Sequence, residues 1–298
     1  MCCSDAGFVS WHTCAMTNWK AIQNGDGGWA YSRGCSWTEP TVFALLAQSA
    51  STPDRESFQR GAKFLSSIAR PDGGWSPQPG VEESTWVTAL AVLLPEDAVS
   101  EQQRRNAIGW LKTRSGLESG WRYRLQQRLV GNKDEFPEGW PWFPGAAAWV
   151  IPTSLGILAF ERALRRSTVE PGELQERIQA GRKFLLAHMC ADGGWNHGSN
   201  RALGRDGDSY PETTGIALLA LNGVAGSSQV SAQIVRAKAT ARKHLASCRT
   251  AEGIAWLRMG LAAHGETVSP ASDDPLRRTN MDEALMTLAR AQRNPLLA

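Results

Sequence analysis

The four residues Asp-Gly-Gly-Trp occur three times, at 26–29, 72–75 and 192–195. A looser copy, Glu118-Ser119-Gly120-Trp121, stands between the second and third, and a degenerate one runs from Glu252 to Trp256. Trp29, Trp75 and Trp121 follow one another at intervals of 46 residues, and the later intervals are 74 and 61. A fixed period with later insertions marks a repeat architecture, in which each unit buries its apolar face only against its neighbours. Glycine permits the left-handed backbone of a tight reversal. Tryptophan supplies a large apolar plate to lie between units.

Around the turns the chain reads as helix, turn, helix. Between Pro53 and Ala69 the residues Phe58, Gly61, Ala62, Leu65 and Ile68 share one face, and 101–113, 173–189 and 229–247 repeat the pattern. Other helices begin Glu39-Pro40-Thr41, Glu83-Ser84-Thr85, Ile151-Pro152-Thr153 and Glu212-Thr213-Thr214, and continue apolar on every side. Helices of that second kind are buried all round, and the amphipathic ones cover them. The expectation is an all-α fold, an alpha-alpha toroid, with about eleven or twelve helices in a double-layered ring. Residues 8–23 read as a first helix and 281–292 as the last.

Stacked units share one core, so residues 1–298 are expected to form a single domain. Insertions fall at about 122–148 and 265–279. The first contains Phe136-Pro137-Glu138-Gly139-Trp140-Pro141-Trp142-Phe143-Pro144-Gly145, whose prolines and glycines argue against a regular element. A net charge of +3 gives no reason to expect a nucleic-acid partner. No apolar run is long enough to span a bilayer, and no signal-peptide pattern opens the chain, so a cytoplasmic protein is expected. None of the six cysteines forms a C-x-x-C pair of the metal or redox kind. Of thirteen tryptophans, five belong to the turns, whereas Trp37, Trp86, Trp140, Trp142 and Trp149 cluster near the starts of the apolar helices and need another reason.

The helix end followed by Gly-x-Trp resembles the repeat of squalene–hopene cyclases and their relatives, which protein prenyltransferase β-subunits also carry. Residues 23–29, with Gln23, Gly27 and Trp29, match the Q-x-x-x-G-x-W core, while Ala69, Ser115 and Met189 replace the glutamine in the next three turns. The resemblance covers roughly residues 18–260. It implies an isoprenoid chain bound in the hole of the ring, and a reaction of the cyclase, isomerase, lyase or transferase kind. Class II cyclases carry D-x-D-D-T at the start of one inner helix. Matching its threonine to Thr41, Thr85, Thr153 or Thr214 puts the proton-donor position on Glu39, Glu83, Ile151 or Glu212, and the other two aspartates are absent. Zinc prenyltransferases carry D-x-C-Y. Here Asp208-Ser209-Tyr210 puts tyrosine at the thiolate position, which argues against a metal. No cofactor is expected, with Mg2+ entering only if the substrate is a diphosphate.

Two roles compete for the carboxylates. Ser36 to Glu39 and Ser209 to Glu212 each fit S-x-x-E, a capping box. Glu83 has Gly80 in the serine position, so capping explains it least. The other role is a proton donor whose pKa is raised by desolvation at the mouth of an apolar cavity. The aromatics Trp37, Trp86, Trp140, Trp142, Phe143, Trp149 and Tyr210 are candidates to line that cavity, since aromatic faces stabilise cations. Arg201 and Arg205, with Arg122 and Arg124, are candidates to hold a diphosphate. Asp26, Asp72 and Asp192 read as structural acceptors of backbone N–H groups.

The functional expectation is therefore a terpene cyclase-like or prenyltransferase-like enzyme with a hydrophobic small molecule as its partner. The competing reading is a non-catalytic ring that binds a lipid or a partner protein. A polysaccharide lyase, with His197 and Tyr210 as its acid and base, is a third. Peripheral contact with a membrane and a partner subunit both stay open.

Overall fold

The tryptophan of each turn makes the same two hydrogen bonds. The computed structural model describes residues 17–51, 54–129, 137–166, 171–198, 201–202, 205–224, 226–268 and 275–297. Within them the tryptophan backbone N–H donates to a threonine hydroxyl in the following helix: Trp29 to Thr41, Trp75 to Thr88 and Trp140 to Thr153 at 2.9 Å, and Trp195 to Thr214 at 3.1 Å. The indole N–H reaches back to the carbonyl of Trp19, Leu65, Leu111 or Leu185. Asp26, Asp72 and Asp192 each accept from the second glycine N–H at 3.0 Å and from the hydroxyl of Ser36, Ser84 or Ser209. The two glycines are needed for different reasons. Gly27, Gly73 and Gly193 have φ of 94°, 91° and 95°. A Cβ on Gly28, Gly74 or Gly194 would stand 2.5 Å from the serine side chain.

The described helices run α1 (Thr38–Ser49), α2 (Arg55–Ser67), α3 (Val87–Leu93), α4 (Glu101–Lys112), α5 (Trp121–Leu129) and α6 (Val150–Arg165). They continue α7 (Pro171–Ala187), α8 (Pro211–Ala220), α9 (Ser228–Ser247), α10 (Ala251–Ala263) and α11 (Asn280–Arg290). A two-residue hairpin, β1 (Arg201–Ala202) with β2 (Arg205–Asp206), is the sheet found among the described residues. The all-α expectation holds, and the helices close into a ring. In order, α1, α3, α6, α8, α10 and α11 each touch the next, and α11 packs back on α1. Outside them α2 covers α1, α4 covers α3, α7 covers α6, and α9 covers α8 and α10. The four threonine-bearing helices are buried, as the all-round apolar pattern predicts, and α10 is buried with them.

Neighbouring units are tied by one recurring bond. The N–H at the head of an inner helix donates to the carbonyl two residues past the next unit's tryptophan: Thr38 to Pro77, Trp86 to Trp142 and Val150 to His197, at 2.8, 3.0 and 2.9 Å. Asn280, at the head of α11, donates to Tyr31 at 2.6 Å, so the last helix closes onto the first turn. The step after α8 differs: that helix opens with Pro211, which has no N–H to give. Here α8 and α10 meet directly instead. A Cβ on Gly215 would lie 2.2 Å from the Trp256 carbonyl carbon, and one on Gly260 2.4 Å from the Gly215 oxygen.

Five sequence expectations are corrected. Residues 118–121 are not the third turn. Gly116 donates to the Gly139 carbonyl at 3.1 Å, just as Asn24, Arg70 and Cys190 donate to Gly28, Gly74 and Gly194. Glu118, two residues on, takes the aspartate's place and accepts from the Ala148 N–H at 2.9 Å. The first insertion therefore splits the turn between its acid and its Gly139-Trp140, and it opens with α5 rather than an irregular loop. Glu252 to Trp256 is no turn but part of α10. Residues 17–23 form turns instead of a helix, and 1–16 lie outside the described residues, as do 269–274 of the second insertion. Finally, the threonine of the second unit is Thr88, not Thr85. Among the described residues no helix is long and apolar enough to cross a membrane.

The two threonines give a direct test. Thr88→Val leaves the buried Trp75 N–H without an acceptor and should cost about 1–3 kcal/mol in denaturant unfolding. Thr85→Val removes a buried hydroxyl that has no partner, and should be neutral or stabilising.

Candidate active site

Four inner helices send two side chains each into one cavity, a first-turn residue and the one a turn deeper. These are Glu39 and Phe43 on α1, Ile151 and Leu155 on α6, Glu212 and Ile216 on α8, and Glu252 and Trp256 on α10. Residues four apart share a helix face. Trp86 at the head of α3, Trp142 from the first insertion and Tyr31 complete the wall. The cavity volume is about 330 Å³, at the small end of ligand pockets. Polarity is divided across it. The acids occupy the helix N-terminal end, and apolar side chains the level below.

Aromatic pairs fix the wall. Trp86 and Trp142 meet edge to face at 4.9 Å, as do Phe43 and Trp256 at 5.9 Å. Such pairs are favoured geometries, and each holds its rings in place. At the mouth the Tyr31 phenol donates to the Glu39 carboxylate, and the Tyr31 ring leans on Trp37 at 5.6 Å.

The carboxyls are electrostatically unlike ordinary surface acids. Burial, opposed by the Tyr31 hydrogen bond and reinforced by the charge of Glu252, pushes Glu39 up to about 7. Glu252 is raised by burial, then by Glu212 and Asp282. The close backbone approach of α8 to α10 is what brings Glu212 and Glu252 within reach of each other. Burial first, and the charge of Glu39 next, raises the Tyr31 phenol, which stays a donor. His197 Nε2 lies 3.8 Å from the Glu212 Oε1.

The capping boxes are not formed. Trp37 and Tyr210 are the N-caps of α1 and α8, and neither cap has a side-chain hydrogen bond. Ser36 and Ser209 serve the turn aspartates instead, and Ser209 also meets His244 Nε2 at 2.7 Å. Glu39 and Glu212 are thus left for the cavity. Glu83 is exposed and lies off the cavity wall, because the step two before Thr88 is Trp86.

The predicted aromatics separate into groups. Trp86 and Trp142 line the cavity. Trp140 is a buried turn tryptophan, stacked under the Arg177 guanidinium at 4.2 Å. Trp37 is partly buried beside Tyr31, while Phe143, Trp149 and Tyr210 are exposed and do not line the cavity. His197 and Tyr210 do meet, with ring centroids 5.2 Å apart. Arg201 and Arg205 sit in the hairpin, and their side chains, like those of Arg122 and Arg124, lie outside the described residues. Tyr31 and Glu252 were not among the predicted site residues. Glu252 had a readable signal, since Trp256 follows it at the spacing of Glu39 and Phe43.

The raised carboxyl has a consequence for stability. Glu39 holds its proton up to about 7 in the fold, against 4.5 for a free glutamate. Its contribution is therefore full below pH 4.5 and is lost as pH rises through 7, a fall of about 3 kcal/mol. Glu39→Gln should remove that fall. In urea titrations it should match the wild type at pH 4 and exceed it at pH 8.

No family model matches the chain, and no curated protein does. Among solved structures it is similar to a protein from Actinoplanes, at 16% identity and a TM-score of 0.47, covering 93% of this chain and 78% of that one. It is also similar to the apo form of the type II terpene cyclase MstE from Scytonema, at 15% identity and a TM-score of 0.47, with the same coverage. Neither likeness is close enough to carry a reaction across.

Proposed function

We propose that the chain is a terpene cyclase-like enzyme that starts its reaction by proton transfer from Glu39 to an isoprenoid carbon–carbon double bond. The single observation behind this is Glu39 itself, pushed up to about 7 at the mouth of a cavity walled by aromatic rings. A general acid works best with a pKa near the working pH. Its O–H bond breaks as a new C–H bond forms from the alkene's electron pair. The positive charge left on the neighbouring carbon faces Trp86, Trp142, Phe43 and Trp256. The Glu39 carboxylate that remains keeps the Tyr31 hydrogen bond. Loss of a proton from the rearranged cation to Glu212 or water then gives a neutral isomer of the substrate. This route uses no metal, and at a packing density of about 0.74 the cavity suits about ten to fifteen carbons.

Glu39→Gln should stay folded and lose about a hundredfold or more in turnover. Glu83→Gln, remote from the cavity, should keep full rate. The assay is gas chromatography of products from neutral polyenes of roughly ten to thirty carbons, the longer ones serving as size controls. Full turnover by Glu39→Gln would remove the proton-donor role. Ligand-induced stabilisation without any product would leave a binding ring, and product from an acidic polysaccharide would favour the His197–Tyr210 pair.

A further inference from the structure

The mouth of the cavity carries three carboxylates, Glu39, Glu212 and Glu252, from three different helices, and among the described residues neither lysine nor arginine lines it. Directly beneath them lie aromatic rings. The edge-to-face contacts of Trp86 with Trp142, and of Phe43 with Trp256, use an edge of one ring and one face of the other in each pair, and all four rings line the cavity. Acceptors above and π-faces below are the two features that recognise an organic cation. A phosphate or carboxylate head in the same place would be repelled by the acids.

We infer that the cavity binds an organic ammonium ion, with its nitrogen among Glu39, Glu212 and Glu252 and its hydrocarbon groups against Trp86, Trp142 and Trp256. This uses the same cavity as the proton-donor reading but requires no reaction. An ammonium ion seated there keeps Glu39 ionised, so it also blocks proton donation.

The charge sign of the ligand is legible in its proton linkage. Glu39 is faced by the Tyr31 phenol from the turn before α1 and by Glu252 on α10, which Glu212 on α8 and Asp282 on α11 also influence, and among the described residues no cation shifts it. His197 sits beyond Glu212. A bound cation lowers the carboxyl pKa values, releases protons and binds more tightly as pH rises through 7. A neutral ligand displaces water, raises them and takes protons up.

The experiment is isothermal titration calorimetry of the whole chain with benzyltrimethylammonium, its uncharged carbon isostere neopentylbenzene, and benzylphosphonate. Each is run in two buffers of different ionisation enthalpy between pH 6 and 8. The ammonium should bind at least about tenfold more tightly than the isostere, with proton release and an affinity that rises with pH, while the phosphonate does not bind. Glu212→Gln and Glu252→Gln, each shown by cooperative melting to be folded, should each weaken the ammonium about tenfold. Equal or tighter binding of the isostere, proton uptake, no binding of the ammonium, or binding that neither variant weakens would overturn the inference. None of these outcomes depends on turnover, so the proton-donor reading stands or falls separately on Glu39→Gln.

Discussion

The ring rests on a buried backbone N–H finding a buried hydroxyl. Each turn tryptophan must be inside, because its indole fills the space between an outer helix and the next inner one. That burial strands its own N–H, and an unpaired buried amide is expensive. Thr41, Thr88, Thr153 and Thr214 remove the penalty from the adjoining helix. The indole N–H meanwhile satisfies a carbonyl near the end of α2, α4 or α7, where the helix ladder leaves acceptors without partners. One residue thus locks the helix before it and the helix after it, and this sets the angle between successive units.

From that lock the cavity follows. Inner helices held with their heads on one side put their first turns together, and a ring of six leaves a hole where those turns converge. Four helices use the same pair of positions to line it, so its chemistry is decided by few letters: Glu, Ile, Glu, Glu above, and Phe, Leu, Ile, Trp below. The step from α8 to α10 breaks the repeat, with Pro211 replacing a donor and Gly215 and Gly260 replacing a turn by backbone contact. The same closeness sets Glu212 and Glu252 against each other. The irregular unit of the ring is the one that crowds its acids.

Fold and cavity were not equally legible in the sequence. Alternating amphipathic and all-round apolar helices, with glycines at fixed places, can be read directly because burial imposes them on local pattern. The split third turn could not. Trp121 stands 46 residues after Trp75 by coincidence, and nothing in the letters says that Glu118 continues at Gly139. Glu83 was favoured for lack of a capping serine, yet capping had no bearing: Ser36 and Ser209 are spent on aspartates, and the threonine that sets α3 is Thr88 rather than Thr85. Trp256 was taken for a turn residue, which hid Glu252 four residues before it. Tyr31 left no sequence signal, since its contact with Glu39 is made by the path of the chain between Trp29 and Trp37.

An acid in the first turn of a helix is ordinarily held ionised, because the helix N-terminus favours negative charge by about 0.3–1 kcal/mol. Glu39 goes the other way. A rise from 4.5 to about 7 amounts to about 3 kcal/mol, so burial and the nearby Glu252 outweigh the dipole several-fold. Both effects act on the same species, the carboxylate: burial and Glu252 destabilise it, whereas the α1 N-terminus and the Tyr31 phenol stabilise it. The rise to about 7 is what remains after that opposition. Burial alone would hold the proton more firmly. The helix head and the donating phenol bring the carboxyl back to a value at which it can both keep a proton and give it up near neutral pH.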